Sequence, residues 1–525
     1  MKCILYSVTL FSLFAATACH KSREQAPAGL QLNSYDVCVY GGTSAGVIAA
    51  YTAKKAGKNV LLIEPGTRLG GLTSGGLCWT DVGNSTTITG LAKDFYKRVG
   101  ALYGVAVRWA FEPKTALSVF NQMVNEANIT VMYKTQLNAV KKEGTTITEL
   151  DVQNEGSPAI TAIVAKEFID CSYEGDLMAA AKVSYTIGRE SNTAYQETLN
   201  GVHLSVAHQF PNGIDPYKIP GDPASGLLWG ISSEPLAAEG TGDHKIQAYN
   251  YRVCLTNNTV NLQPITRPAG YDSTQYELLL RYIRKINATD IKTILTFNPL
   301  PNKKADINNQ GPFSTDMIGE NYTYPDGDRA TRTAIAQACA RYTKGLLYFI
   351  GHDPRMPLSI RNQMLQWGYP LDEFEENEHF TSQLYIRESR RMLGEYITTQ
   401  ANCEHTSVVN DGVADASYMM DSHNCQRIVV NGMVKNEGNV EKQVRGPYSV
   451  SYRSITPKRT ECTNLLVPVC LSATHIAYGS IRMEPVFMML GQAAAQAASL
   501  AIDAKTSVQA IDTRVLQEQI KKLNN

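Results

Sequence analysis

The residues best suited to hold a charged ligand are Gly41, Gly42, Thr43, Ser44, Ala45 and Gly46, together with Glu64 about twenty positions on. A glycine turn that opens a helix brings backbone close to an anion and presents unpaired N–H groups at the positive end of the helix dipole. An acid at the end of the next strand accepts hydrogen bonds from the two hydroxyls of a ribose, and its charge disfavours a 2′-phosphate. A second kind of chemistry is written near the other end of the chain. In Asp421-Ser422-His423 the acid can orient the imidazole or bind a hydroxyl, and a neutral imidazole can take a hydroxyl proton. His475, within SATHIAYGSIR, is a competing base, and Arg482 beside it can bind substrate or stabilise developing negative charge.

The elements needed to position the first group are legible. Val37 to Tyr40 are an apolar, β-prone run that suits a buried parallel strand. From Ser44 to Lys58 small and apolar residues recur at helical spacing, with Gly57 as the stop, and Asn59 to Ile63 return as a strand ending at Glu64-Pro65. The glycine-dense loop Arg68-Leu69-Gly70-Gly71-Leu72-Thr73-Ser74-Gly75-Gly76 follows, where backbone can pass beside a bulky cofactor. Helices are expected over Lys93 to Ala101 and Pro113 to Ala127, a strand over Ile129 to Tyr133, and a β-meander over Leu137 to Glu167. Further on, helices are expected over Ser273 to Asn287 and Asp328 to Tyr348.

GGTSAG, the acid-tipped strand and RLGGLTSGGLCWTD together resemble the bacterial FAD-dependent oxidoreductase family with a glutathione-reductase-type FAD domain, whose members are often labelled xanthan lyase or putative oxidoreductase. The resemblance implies an α/β fold: an FAD-binding Rossmann domain of three β/β/α layers with an inserted α+β substrate domain. It implies FAD as cofactor, held by the glycine turn, Glu64, Pro65, Arg68 and the loop from Gly70 to Gly75. Lys166 to Lys182 resembles the family's second FAD motif, with Asp170, Glu174, Gly175 and Asp176 as contacts and Cys171-Ser172-Tyr173 in place of the usual Ala-Thr-Gly. Asn464 to Ala501 resembles its closing segment: a strand to Val469, a break at Gly479, a helix start at Pro485, and Gly491, Gln492, Ala493 and Ala494 beside the cofactor in a run that packs against the sheet. The last helix is then expected to point its N-terminus at the pyrimidine edge of the flavin. Gln383 to Ile397 resembles a segment of the form RExRRxxG, which assigns Arg387, Arg390 and Arg391 to carboxylates or sugar hydroxyls of a substrate.

The chain has 525 residues, 43% of them hydrophobic, which exceeds what one core supports. The expected division is a lipoprotein signal at 1–19, a tether at 20–33, the FAD domain in two parts at 34–187 and 384–505, the substrate domain at 188–383 and a C-terminal helix at 506–525. With 49 basic and 49 acidic residues there is no electrostatic footprint for nucleic acid. Lys2, the apolar run Ile4 to Ala16 and Ala16-Thr17-Ala18-Cys19 resemble a bacterial lipobox that exports the protein and anchors it through a lipid on Cys19, ordinary secretion with cleavage near Ala18 being the alternative. No later segment reads as long and apolar enough to span a membrane. No Cys/His spacing suits a metal; Cys403 with Cys425, or Cys462 with Cys470, are the cysteines that could pair.

These readings converge on an exported enzyme that moves hydride from an alcohol carbon of a carbohydrate or related small molecule to FAD, with His423 or His475 as base and an unidentified electron acceptor. The alternatives are a redox-neutral, flavin-assisted lyase on a glycan and a glycan-binding lipoprotein with a vestigial nucleotide fold.

Overall fold

The computed structural model describes residues 33–524, so the signal, lipobox and most of the tether lie outside the described residues. Four parallel strands carry the nucleotide half: β1 (Asn33–Tyr40), β2 (Val60–Ile63), β3 (Thr130–Met132) and the second part of a long strand, labelled β6 after the meander strands below (Ile160–Asp170), in the order β3-β2-β1-β6, with Leu465–Leu466 added beyond β6. Register decides what meets at their carboxyl ends. Tyr40 pairs with Ile63 on one side and with Asp170 on the other, so the residues after all three strands emerge together. Helix α1 (Ser44–Lys55) connects β1 to β2, while α2 (Gly71–Gly75), α3 (Gly90–Leu102) and α4 (Pro113–Glu126) lie between β2 and β3.

Strand alternation separates two cores. Val37, Val39, Val60 and Leu62 join the helices in one, while Cys38, Tyr40, Leu61 and Ile63 face Ile147, Leu150 and Val152 of the meander in the other. The meander is β4 (Thr135–Glu143), β5 (Thr146–Asn154) and β6, whose first residues pair antiparallel with β5 before the strand runs on beside β1. A second, antiparallel sheet occupies 253–370 in the order Leu262–Pro264, Gly368–Pro370, Val253–Thr256, Lys304–Asn309, Leu295–Leu300. The expected helices around it are Glu277–Ile286 and Arg329–His352, the latter capped by the Asp328 side chain on Thr331 N–H.

Buried ion pairs of the second sheet reach the loop after the glycine-dense segment and the residue before α4. Asp306 accepts two hydrogen bonds from Arg252 at 2.9 and 2.8 Å, and also the backbone N–H groups of Cys78 and Trp79. Lys304 Nζ lies 2.7 Å from both Glu112, which precedes α4, and Glu373. The loop after the glycine-dense segment is thus fixed from the second sheet.

Several expectations are corrected. The strand expected over Asn464 to Val469 is only Leu465–Leu466. Gly479 does not break the chain: it lies inside the helix His475–Ile481, where an added Cβ would fall 2.5 Å from the Asp421 carbonyl. The closing helix, Glu484–Ala504, is long and apolar enough to cross a membrane, contrary to expectation, but most of it is buried in the core. It meets α1 directly, since a Cβ on Gly491 would overlap the Ala45 carbonyl. The nine cysteines of the described residues are all free buried thiols, so neither expected pair forms.

Candidate active site

The glycine turn builds a cradle that side chains would fill. Gly41 has φ +93°, and a Cβ there would fall 2.6 Å from Ser172 N; one on Gly42 would fall 2.7 Å from Glu64 Oε2. Thr43, in place of the middle glycine, has φ −63° and turns its side chain inward, donating to the Cys171 carbonyl at 2.8 Å and accepting from Gly46 N–H. The departure from three glycines therefore leaves the backbone path intact. Glu64 accepts from Gly42 N–H at 2.7 Å and Gly66 N–H at 2.5 Å, while burial lifts its carboxyl to about 7.

Two helix N-termini converge on this turn. Ser44 Oγ and Thr73 Oγ1 donate to Glu484 Oε2 at 2.6 and 2.7 Å, and Tyr173 OH donates to Oε1 at 2.8 Å while accepting from Leu72 N–H. Burial raises the Glu484 carboxyl, while the hydrogen bonds from Ser44, Thr73 and Tyr173 oppose the rise. Glu484 and Tyr173 were not singled out from the sequence; Pro485, a helix-start residue, is the one local signal for the first.

A cavity of about 580 Å³ opens at the same strand ends, lined by Tyr40, Pro65, Leu137, Glu174, Asp176 and Arg390 among others. Other expected contacts are held by bonds within the protein. Asp170 is buried and accepts from Ser172 Oγ and Met178 N–H, shaping the second turn from behind. Arg68 donates to the Ser74 carbonyl and pairs with Glu376 at 2.8 Å. Gly491, Gln492, Ala493 and Ala494 are packed against neighbouring helices: Gln492 accepts from Leu91 N–H of α3, and both alanines are fully buried.

The two histidines differ in what remains open to them. His423 Nδ1 faces Asp316 Oδ2 at 2.7 Å, and because a carboxylate only accepts, Nδ1 carries the proton. Burial, with Arg387 near, lowers the His423 pKa, so the ring is neutral and Nε2 keeps its lone pair. That nitrogen is 3.8 Å from Asp421 Oδ2, which is held by Arg482 at 3.0 Å, and Arg482 also donates to Tyr385 OH. Burial opposes ionisation of Asp316, yet Arg387 and His423 hold it down to about 2. His475 is almost fully buried with both nitrogens engaged: Nδ1 faces Glu388 at 2.7 Å and Nε2 faces Ser422 Oγ at 3.0 Å.

The arginines expected to bind substrate are committed to the protein. Arg387 pairs with Asp316 at 2.9 Å and donates to the Ala248 carbonyl; Arg391 pairs with Glu190 and Glu388; Arg390 pairs with Asp176 and Asp326. Arg387 and Arg391 thus support the carboxylates that face the histidines, while Arg390 lines the cavity at the strand ends. Asp316 itself carried no sequence signal as a partner, being 107 positions from His423.

A family model described as FAD dependent oxidoreductase matches residues 36–520. The chain belongs to that family. Among solved structures, this oxidoreductase is similar to a flavoprotein/dehydrogenase from Cytophaga hutchinsonii at 14% identity, over 29% of this chain and 43% of that one, with a TM-score of 0.24. It is similar to a geranylgeranyl bacteriochlorophyll reductase-like protein from Thermoplasma acidophilum at 21% identity, over 29% and 43% of the two chains, with a TM-score of 0.22. The match spans less than half the length of each. A search of the curated proteins finds no match. FAD is the cofactor of this oxidoreductase, and its α/β fold is the Rossmann type that binds FAD. The glycine turn that opens α1 at Ser44, Glu64 at the end of the next strand and the cavity at these strand ends fit that group, offering a helix start for the pyrophosphate and an acid for the ribose.

Proposed function

We propose that this oxidoreductase oxidises an alcohol carbon of a carbohydrate or related small molecule, with His423 as the base. The observation that carries the reading is the contrast between the histidines: His423 leaves Nε2 free to accept a proton, whereas both nitrogens of His475 are engaged inside the protein. Bound FAD supplies the hydride acceptor. Asp316 fixes the tautomer of His423 and stabilises its charge once Nε2 has taken the hydroxyl proton. Asp421 and Arg482 line the same edge and are suited to orient neighbouring hydroxyls, the carboxylate accepting and the guanidinium donating. His475 acts as a positioning residue, holding Ser422 next to the base.

The carbohydrate class is supported by this hydroxyl-binding set and by the export pattern at the N-terminus. In the same reading the protein is anchored in the bacterial envelope through Cys19; incorporation of labelled palmitate that survives Cys19→Ala would refute that part. The test of the chemistry is an anaerobic panel of sugars, uronic acids and oligosaccharides scored by bleaching of the flavin absorbance, run with His423→Ala beside the parent. Bleaching that His423→Ala slows by less than about tenfold would refute the base.

A further inference from the structure

Seven arginines of the described residues are buried, and six have a carboxylate oxygen within 3.0 Å: Arg189, Arg252, Arg387, Arg390, Arg391 and Arg482. Arg427 has none within ion-pair distance among the described residues, although only 2% of it is exposed. Its guanidinium sits between the rings of Phe210 and Phe313, 5.5 and 5.4 Å from their centroids. Nε donates to Asn436 Oδ1 at 3.1 Å, and NH2 donates to the carbonyls of Phe313 at 3.1 Å and Pro312 at 3.3 Å. NH1 makes no hydrogen bond within the described residues. It lies at Gly230, whose absent side chain would fall 3.2 Å from it, and Arg427 and Gly230 line one cavity of about 220 Å³.

Burial pulls the Arg427 pKa down to about 10, with Tyr342 and the more distant Asp316 opposing it only in part and no carboxylate in ion-pair contact among the described residues. The other charges at the cavity do not supply one: Lys245 is engaged with Glu234 at 2.6 Å, and Glu320 at the exposed rim makes no ion pair among the described residues. A guanidinium with a free N–H at the floor suits a carboxylate, and a lone acid at the rim suits a hydroxyl donor on the same molecule.

We infer that this cavity binds a small hydroxylated monocarboxylate through Arg427, at a site separate from the nucleotide cradle and from His423. Arg427 also holds the carbonyls of Pro312 and Phe313, so the ligand would sit behind the segment that leads to Asp316.

The experiment is calorimetric titration of the FAD-loaded protein with sodium glucuronate and sodium lactate, and with glucose as the neutral comparison. Saturable binding of at least one acid is expected, with glucose weaker than glucuronate by about tenfold or more. Arg427→Gln should weaken the acid by about tenfold or more. Ile231→Trp, which keeps the guanidinium and fills the cavity, should do the same and decides the matter if Arg427→Gln does not fold. Absence of binding by either acid, or binding unchanged in the variants, as an acid held at the His423 site would give, overturns the inference. Because no turnover is read, the result is independent of the proposed reaction.

Discussion

Ser44 and Glu484, the first residues of α1 and of the closing helix, are 440 positions apart and joined by a 2.6 Å hydrogen bond. The bond brings two positive helix ends to the glycine turn and places a buried acid between them. Thr73 and Tyr173 share the same carboxyl, so one side chain gathers four separated segments around the cradle.

Glu484→Ala would leave three hydroxyl groups without their acceptor, at a cost of about 1–3 kcal/mol for each buried unsatisfied group. We expect a lower melting temperature and a reduced ratio of flavin to protein absorbance after purification. Glu484→Gln keeps an acceptor in place and should retain flavin close to the parent level; equal flavin loss in both variants would show that hydrogen bonding is not what this residue contributes.

The two histidines should separate kinetically. His423→Ala is expected to slow flavin reduction by about 10²–10⁴-fold. His475→Ala leaves the buried Glu388, which keeps Arg391, and the buried Ser422 each short of one partner and should destabilise by about 1–3 kcal/mol. Stopped-flow reduction and denaturant unfolding of both variants check this, and a stable His475→Ala enzyme with a larger kinetic defect would reverse the assignment.

Acid should act on the Asp316 pair in a defined window. The carboxyl is held at about 2 against an ordinary 3.8, so its contribution of about 2 kcal/mol is present above pH 4 and lost as pH falls through 2. The stability gap between the parent and Asp316→Asn should therefore close over that interval. The His423 pKa is lowered from 6.5, so the ring is a competent base below its ordinary range, and the acid limb of the flavin-reduction rate should lie below pH 6.5. A limb above 6.5 would mean that His423 is not the titrating base.

Lys304 carries the only cation inside the buried group Glu112 and Glu373 among the described residues, with Asp372 at 2.9 Å on the exposed side. Lys304→Met should cost about 3–5 kcal/mol at neutral pH by leaving buried carboxylates unpaired. Urea unfolding with and without bound flavin measures it, and a loss below 1 kcal/mol would place this cluster with surface ion pairs.

How much was legible follows the range of the interaction. The strand, turn, helix and acid from Val37 to Glu64 lie within one supersecondary unit, so periodicity and glycine placement specify them locally. Arg387 and Arg391 pair with buried carboxylates, which the sequence does not distinguish from facing a ligand, because a guanidinium near a site looks the same in either role. Family resemblance places the closing run Gly491 to Ala494 beside the cofactor; the structure shows Gly491 against the carbonyl of Ala45 and both alanines buried, contacts that lie across the fold.

By itself the sequence determined the family, the cofactor and the strand, turn and helix from Val37 to Lys55, because backbone geometry near glycine is a local property. Only the tertiary structure decided which histidine keeps a free nitrogen. Asp316, Glu388 and Glu484 reach their partners across the fold, and a proton's location depends on those distances, which no spacing along the chain encodes.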